Sequence, residues 1–168
     1  KGGRIQHWDG GKPADLAFFP NPELSTPLDF EIERYDPDTG ELLAWVRIPS
    51  LSSTVDTVFY LAYGNAAVTS SPQNPAGVWD SNYKFVGHLP NGTTLSAVDS
   101  SNFRNHGTPV NSPTATAGSV DGAANLNSAS TQHISLPANF NHGSASMTWS
   151  AWIYATGNDP EAARLAGI

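Results

Sequence analysis

The chain has 168 residues, of which 39% are hydrophobic and 10% aromatic, enough to build a buried core and to exclude global disorder. Fifteen acidic against eight basic residues give a net charge of -7, which argues against a nucleic-acid backbone or an anionic membrane as the main partner. The sequence holds no cysteine, so disulfides and thiolate metal sites are excluded. No apolar run approaches the roughly 18 residues of a membrane span, and we expect no membrane insertion.

Short strand-forming runs dominate the first half of the chain. Residues 28–35 (LDFEIERY) alternate between apolar and charged side chains, which is typical of a strand with one buried face. Residues 36–40 (DPDTG) predict a turn, because Asp caps it, Pro fixes φ and Gly permits a positive φ. Together, the strands predicted here cover residues 28–35, 41–48 and 57–63.

The second half follows a small, polar, proline-containing stretch. We predict that residues 66–77 are a linker. The strands predicted beyond it cover residues 83–89, 123–126, 133–136 and 146–154. Helical periodicity is nearly absent, and the only helix candidate is residues 160–165 (PEAARL). Many short strands with loops between them indicate an all-β fold, a β-sandwich or jelly roll, rather than a parallel α/β sheet.

Residues 14–65 resemble DUF2341, a domain of unknown function found in bacterial and archaeal surface proteins. The resemblance lies in ADLAFF, in DFEIERYDPDTGELLAWVRIPSLSS and in VFYLAYGN. The family's N-terminal strands are missing, so residues 1–65 are interpreted as an N-terminally incomplete, smaller β domain.

Residues 78–168 resemble the start of a concanavalin A-like, laminin-G-type (LamG) jelly roll of the lectin and glucanase class. Four runs carry the resemblance in the usual order: GVWDSNYKFVGHL, DSSNFRNHGTP, GSVDGAANLNSASTQHISLP and SMTWSAWIY. A jelly roll needs about eight strands, so this domain is interpreted as C-terminally incomplete. The resemblance implies an incomplete family domain within a longer protein, or one completed by strands of a neighbouring copy.

The run DSSNFRNHGTP is a candidate calcium loop. LamG-type domains often hold calcium at a loop edge, and Asp99, Asn102 and Asn105 could supply hard oxygen ligands, with Asp121 as a second carboxylate. The family's common run has Gly, Asn and Gly where this chain has Asn102, Phe103 and Arg104. The alternative interpretation is a capped turn, in which Asp99 and Asn105 hold backbone groups and Gly107 takes a positive φ.

Exposed aromatic residues are candidates for stacking on a sugar ring. Trp8, in a Gly-rich run, is the least constrained tryptophan, and Trp149 and His106 are the other candidate ligand-binding residues. Trp149 and Trp152 lie three apart on a predicted strand, hence on opposite faces. For both of these tryptophans, burial in the core is the favoured alternative.

Catalytic and zinc chemistry have little support. Glu31 and Glu33 share a strand face at a separation near that of glycosidase carboxylates, but a solvated strand surface is the simpler interpretation. The concanavalin-type E-x-D-x-x-E strand is absent. The histidines show no zinc-binding spacing, and no serine nucleophile motif occurs.

The sequence thus predicts a non-catalytic, extracellular or cell-surface binding module of bacterial, archaeal or phage origin. Its expected partner is a glycan or cell-surface polysaccharide, with calcium as the only candidate cofactor. The alternative from another class is a structural adhesin or filament subunit that self-associates through unpaired strands. A glycoside-active enzyme is the third and weakest hypothesis.

Overall fold

The computed structural model describes residues 5–138, 140 and 146–155. The strands within this part of the chain are β1 (Trp8–Asp9), β2 (Lys12–Pro13), β3 (Ala17–Phe19), β4 (Phe30–Tyr35), β5 (Leu42–Val46), β6 (Tyr60–Ala62), β7 (Thr108–Val110), β8 (Thr114–Ala117), β9 (Gly122–Asn125) and β10 (His133–Ser135). One single-turn helix, α1 (Pro75–Val78), and one 3-10 turn (Ser128–Ser130) accompany them. The prediction of an all-β protein is therefore confirmed.

Five predicted strands coincide with observed ones, and two are wrong. The predictions over residues 28–35, 41–48, 57–63, 123–126 and 133–136 contain β4, β5, β6, most of β9 and β10. Residues 83–89 form only an isolated bridge, from Gly87 to Asp99. Residues 146–154 contain no strand. The predicted helix at residues 160–165 lies outside the described residues. Strands β1, β2, β3, β7 and β8 were not predicted, because each spans at most four residues and holds little alternation.

The chain forms two compact units. Within the described residues, the first runs up to Val86 and includes Ser100–Phe103, and the second holds Gly87–Asp99 with the part from Arg104 onward. Every strand pair is antiparallel: β1 with β2, β3 with β6 and β4 with β5 in the first unit, and β7 with β10 and β8 with β9 in the second.

The core of the first unit lies between the sheets β3–β6 and β4–β5. Phe30 and Ile32 on β4 are fully buried and pack with Leu16, Phe18 and Leu28. The rings of Phe18 and Phe30 meet edge to face with their centroids 5.3 Å apart. The alternation read from the sequence therefore identifies the core face of β4 correctly.

The edge of β4 that faces away from β5 is covered by side chains and backbone. The Phe30 carbonyl accepts from the Asn74 N–H at 3.0 Å, and the Ile32 N–H donates to the Gln73 side chain at 2.5 Å. The Lys12 ammonium donates to the Ile32 carbonyl. Residues 66–77, predicted to be a linker, thus lie in the first unit. The predicted domain limits stay a prediction, since a compact unit is not by itself an independently folding domain.

The turn from Asp36 to Gly40 joins β4 to β5. The Asp36 carboxylate accepts the N–H groups of Asp38 at 2.8 Å and Thr39 at 3.3 Å, and the Gly40 N–H donates to the Asp36 carbonyl at 2.8 Å. The Thr39 hydroxyl and these N–H groups hold the pKa of Asp36 below its usual value. Gly40 has φ +76°, as the predicted turn requires.

The second unit is built around the hairpin β8–β9 and the pair β7–β10. The turn of the hairpin is closed by a hydrogen bond of 3.1 Å from the Gly118 N–H to the Asp121 carbonyl. Gly107 lies against Ile134 and Ala97, so closely that a Cβ atom would come within 2.5 Å of Ile134. Close packing, and not a positive φ, therefore requires a glycine at position 107. Arg104 takes the positive φ of this loop, at 51°.

We predict that Gly40→Ala lowers the free energy of unfolding by about 1 kcal/mol, because a β-carbon is strained at a positive φ. Open space surrounds the position, so no steric contact contributes. Gly40→Asn is the matched control and should lose less, since asparagine tolerates this conformation better. Urea unfolding followed by circular dichroism checks both, and an alanine variant as stable as the parent would contradict the strain argument.

Candidate ligand-binding groove

Trp8 is presented by a hairpin of four strand residues. Strands β1 and β2 pair Trp8 with Pro13 and Asp9 with Lys12, and the turn between them is Gly10-Gly11. Both glycines have positive φ, 56° and 81°, which a two-residue hairpin turn of this hand requires. The sequence Trp-Asp-Gly-Gly-Lys therefore folds locally into a tight hairpin with the indole 47% exposed.

A buried carboxylate ties this hairpin to the end of β6. Asp15 is 4% exposed, and its Oδ2 atom accepts from the Gln6 N–H at 2.8 Å and from the Gly64 N–H at 3.1 Å. The His7 ring adds a contact of 2.9 Å to the Ala66 carbonyl. One carboxylate thus holds together the segments that precede Trp8 and follow β6. Charge-assisted hydrogen bonds of this kind are stronger than neutral ones.

A groove of about 480 Å³ lies beside Trp8 in the first unit. Its aromatic residues are Trp8, Tyr35 and Tyr63, and the rings of Trp8 and Tyr35 are tilted by 51° with centroids 5.5 Å apart. The remaining lining residues are Ile5, Leu16, Pro37, Gly40, Leu42 and Leu61. Concave, mostly apolar surfaces with a few polar atoms are typical of small-ligand sites. The groove offers aromatic faces for stacking and two tyrosine hydroxyls for hydrogen bonds.

Tyr35 reaches the groove because β4 contains a β-bulge. The pairing with β5 shifts between Ile32 and Arg34, so Glu33 is an extra residue and the alternation changes parity after it. Tyr35 therefore packs against the same core as Ile32. Sequence reasoning missed Tyr35 and Tyr63 as site residues, since strict alternation places Tyr35 on the face of Glu31 and Glu33.

The carboxylates of Glu31 and Glu33 are buried, each 7% exposed, so the prediction of a solvated strand surface is wrong. The Trp79 indole N–H donates to Glu31 at 2.6 Å, and the Trp45 indole N–H donates to Glu33 at 2.5 Å. The Ser100 hydroxyl also donates to Glu31, at 2.6 Å. The two indoles pack together with ring centroids 5.2 Å apart. Each carboxylate thus accepts a hydrogen bond from an indole that packs against the other indole.

The candidate calcium residues have distinct partners. Asp99 is fully buried; its carboxylate accepts from the Asn105 N–H at 2.7 Å, and its own N–H donates to His106 Nδ1 at 3.0 Å. Asp121 accepts from the Asn91 N–H at 3.4 Å. The Asn102 amide, in the other unit, donates to the Ala76 carbonyl at 3.1 Å.

The contacts of Asp99 fit the capped-turn interpretation of the loop, but the positive φ is taken by Arg104 and not, as that interpretation expected, by Gly107. Among the described residues, no group of three or more His, Cys, Asp or Glu residues could hold a metal ion. Calcium ligation, which also draws on amide and backbone oxygens, stays a prediction.

The three candidate ligand-binding residues are divided between the two units. Trp8 belongs to the first unit, and His106 and Trp149 to the second. Trp149 is 42% exposed and lies 6.3 Å from Phe140 between ring centroids. Trp152 is 82% exposed, so the expectation that both tryptophans are buried in the core is wrong. Neither residue lies on a strand, so the expectation that strand alternation places them on opposite faces is wrong as well.

We predict that Trp79→Phe lowers the free energy of unfolding by about 2 kcal/mol, because it removes a donor to a buried carboxylate. Trp8→Phe is the matched control and should change little, since the Trp8 indole is half exposed. Chemical denaturation of the three proteins provides the comparison. Equal losses in the two variants would show that the indole hydrogen bond does not stabilise the fold.

Comparison with known proteins identifies one family. Residues 12–89 match the family model described as a domain of unknown function, DUF2341. No curated protein and no solved structure matches the chain. In the part of the chain that the structure describes, no helix is long and apolar enough to cross a membrane. The LamG-type resemblance of the later residues stays a prediction, whereas the first resemblance is confirmed: residues 12–89 match the DUF2341 family model.

Proposed function

We propose that this protein is a non-catalytic binding module that recognises a neutral glycan through the groove beside Trp8. The observation that carries the proposal is the combination of a half-exposed indole with two tyrosines around one concave, apolar surface. Sugar rings carry apolar C–H faces, which pack on aromatic rings, and hydroxyls, which hydrogen-bond to polar atoms at the rim. The groove supplies both kinds of contact.

The construction of the groove supports a pre-formed site. Trp8 stands on a hairpin closed by two glycines, and Asp15 fixes that hairpin to the end of β6. Tyr35 packs on the core through the bulge in β4. A surface held in its binding geometry loses less conformational entropy when the ligand binds.

The charge of the chain sets the class of glycan. A net charge of -7 repels sulfated and other polyanionic chains at long range. Among the residues that the structure describes, the groove is lined mainly by apolar and tyrosine side chains and by no lysine or arginine. We therefore propose that the ligand is a neutral or weakly charged polysaccharide, which the protein binds outside the cell or at the cell surface. We also propose that the fold is a β-sandwich or jelly roll.

Self-assembly through strand edges is the second candidate function. All five sheets within the described residues have two strands, and open edges of strands pair readily with another chain. Sedimentation over a range of protein concentrations distinguishes the candidates. Concentration-dependent assembly without glycan binding supports the adhesin or filament hypothesis, and a glycan-binding monomer supports the first.

The test of the groove is Trp8→Ala measured on a glycan array and then by calorimetry with the best neutral ligand. We expect at least a tenfold loss of affinity, about 1.4 kcal/mol. Trp152→Ala is the control, because Trp152 is more exposed than Trp8 and lies outside the groove. Unchanged binding by Trp8→Ala would place the site elsewhere. An array dominated by sulfated ligands would contradict the choice of a neutral glycan.

A further inference from the structure

The sequence contains one Asn-Gly pair, Asn91-Gly92, and it lies on an exposed bend of the second unit. A Cβ atom added to Gly92 would meet no atom within 4 Å, so the glycine is in open space. In the described part of the chain, the hydrogen bond of Asn91 is made by its backbone N–H and not by its side-chain amide. The amide carbon of Asn91 and the backbone nitrogen of Gly92 are therefore unshielded.

The residues before this pair are held in place. The Asn91 N–H donates to Asp121, and Gly122 packs so closely that a Cβ there would lie 2.1 Å from the Leu89 carbonyl oxygen. Leu89 itself has a positive φ, 50°. These contacts hold the backbone up to Asn91, and the next residue, Gly92, is exposed. Glycine adopts conformations closed to other residues, which favours the approach of its nitrogen to the preceding side chain.

We propose that Asn91 is a deamidation site. The Gly92 backbone nitrogen loses its proton and attacks Cγ of Asn91; a nitrogen–carbon bond forms, the bond from Cγ to the amide nitrogen breaks, and ammonia leaves. The resulting five-membered succinimide is opened by water at either carbonyl, giving aspartate or isoaspartate. The net reaction consumes one water and releases one ammonia, and no oxidant or reductant takes part.

The product changes the charge beside the hairpin β8–β9. A new carboxylate appears on the residue whose N–H is bonded to the Asp121 carboxylate, and like charges at short range repel. In isoaspartate the backbone also runs through the former side chain, which lengthens the segment by one carbon. Asn91 is thus both part of an exposed reactive pair and hydrogen-bonded to Asp121, in the turn that precedes β9.

Other asparagines of the same unit provide internal references. Asn111 precedes Ser112, and its amide donates to the Thr131 hydroxyl at 2.7 Å and to the Thr131 carbonyl at 3.2 Å. Both a substituted following residue and an engaged amide slow the attack on Cγ. Asn111 is therefore expected to stay intact while Asn91 reacts.

The experiment is incubation of the whole chain at mildly alkaline pH, followed by peptide mapping with mass spectrometry. We expect the peptide with Asn91 to gain the mass difference of amide to acid, with a mixture of aspartate and isoaspartate. The conversion should be roughly tenfold or more faster than at Asn111 and slowed to a similar extent by Gly92→Ala, because alanine restricts the backbone. Open space at Gly92 makes this variant compatible with the fold.

Equal conversion at Asn91 and Asn111, or no effect of Gly92→Ala, would overturn the proposal. The pair also begins an Asn-Gly-Thr acceptor sequence for N-linked glycans. A glycan-sized mass on Asn91 in protein from the native source would likewise overturn it, since the amide nitrogen is then retained.

Discussion

Residues 30–33 of strand β4 are enclosed on both faces and along one edge, so their polar groups need partners inside the protein. One face carries Phe30 and Ile32 into the apolar core, and the other carries the buried carboxylates of Glu31 and Glu33. A buried charge without hydrogen bonds costs far more than a solvated one. Indole and hydroxyl donors meet this requirement on the polar face, and the segment around Gln73 and Asn74 meets it along the edge. Removing one donor therefore costs more free energy than one hydrogen bond, because it leaves a buried polar group without that partner.

The groove depends on the same strand. The bulge at Glu33 gives that carboxylate its place beside Trp45 and, two residues later, turns Tyr35 toward the core and the groove. Near the hairpin β1–β2, the buried Asp15 carboxylate accepts two backbone N–H groups through its Oδ2 atom. The segments that carry Trp8 and Tyr35 thus each contain a buried acid, although the groove itself is lined mainly by apolar and aromatic residues.

Regular alternation of apolar and polar residues can be read from the sequence, whereas irregular backbone geometry such as a β-bulge cannot. The run through Phe30 and Ile32 predicts both the strand and its buried face, and the residues of the turn at Asp36 predict its conformation. The burial of Glu31 and Glu33 could not be read from the pattern, because charged residues on a strand normally indicate solvent and their donors lie far along the chain. Strict alternation also fails at a bulge. Of the candidate ligand residues, Trp8 was predicted from its Gly-rich surroundings, whereas the tyrosines that complete the groove were not.

Hydrogen exchange of the tryptophan indole N–H groups, followed by nuclear magnetic resonance, tests the enclosure of β4 most directly. Exchange requires the N–H to leave its partner and meet water, so protection reports the bond to the buried carboxylate. We expect the indole of Trp79 to exchange much more slowly than that of Trp8, and Glu31→Ala to remove most of the difference. A Trp79 indole that exchanges as fast as that of Trp8 in the parent protein would contradict the account of β4 as a strand held from both faces.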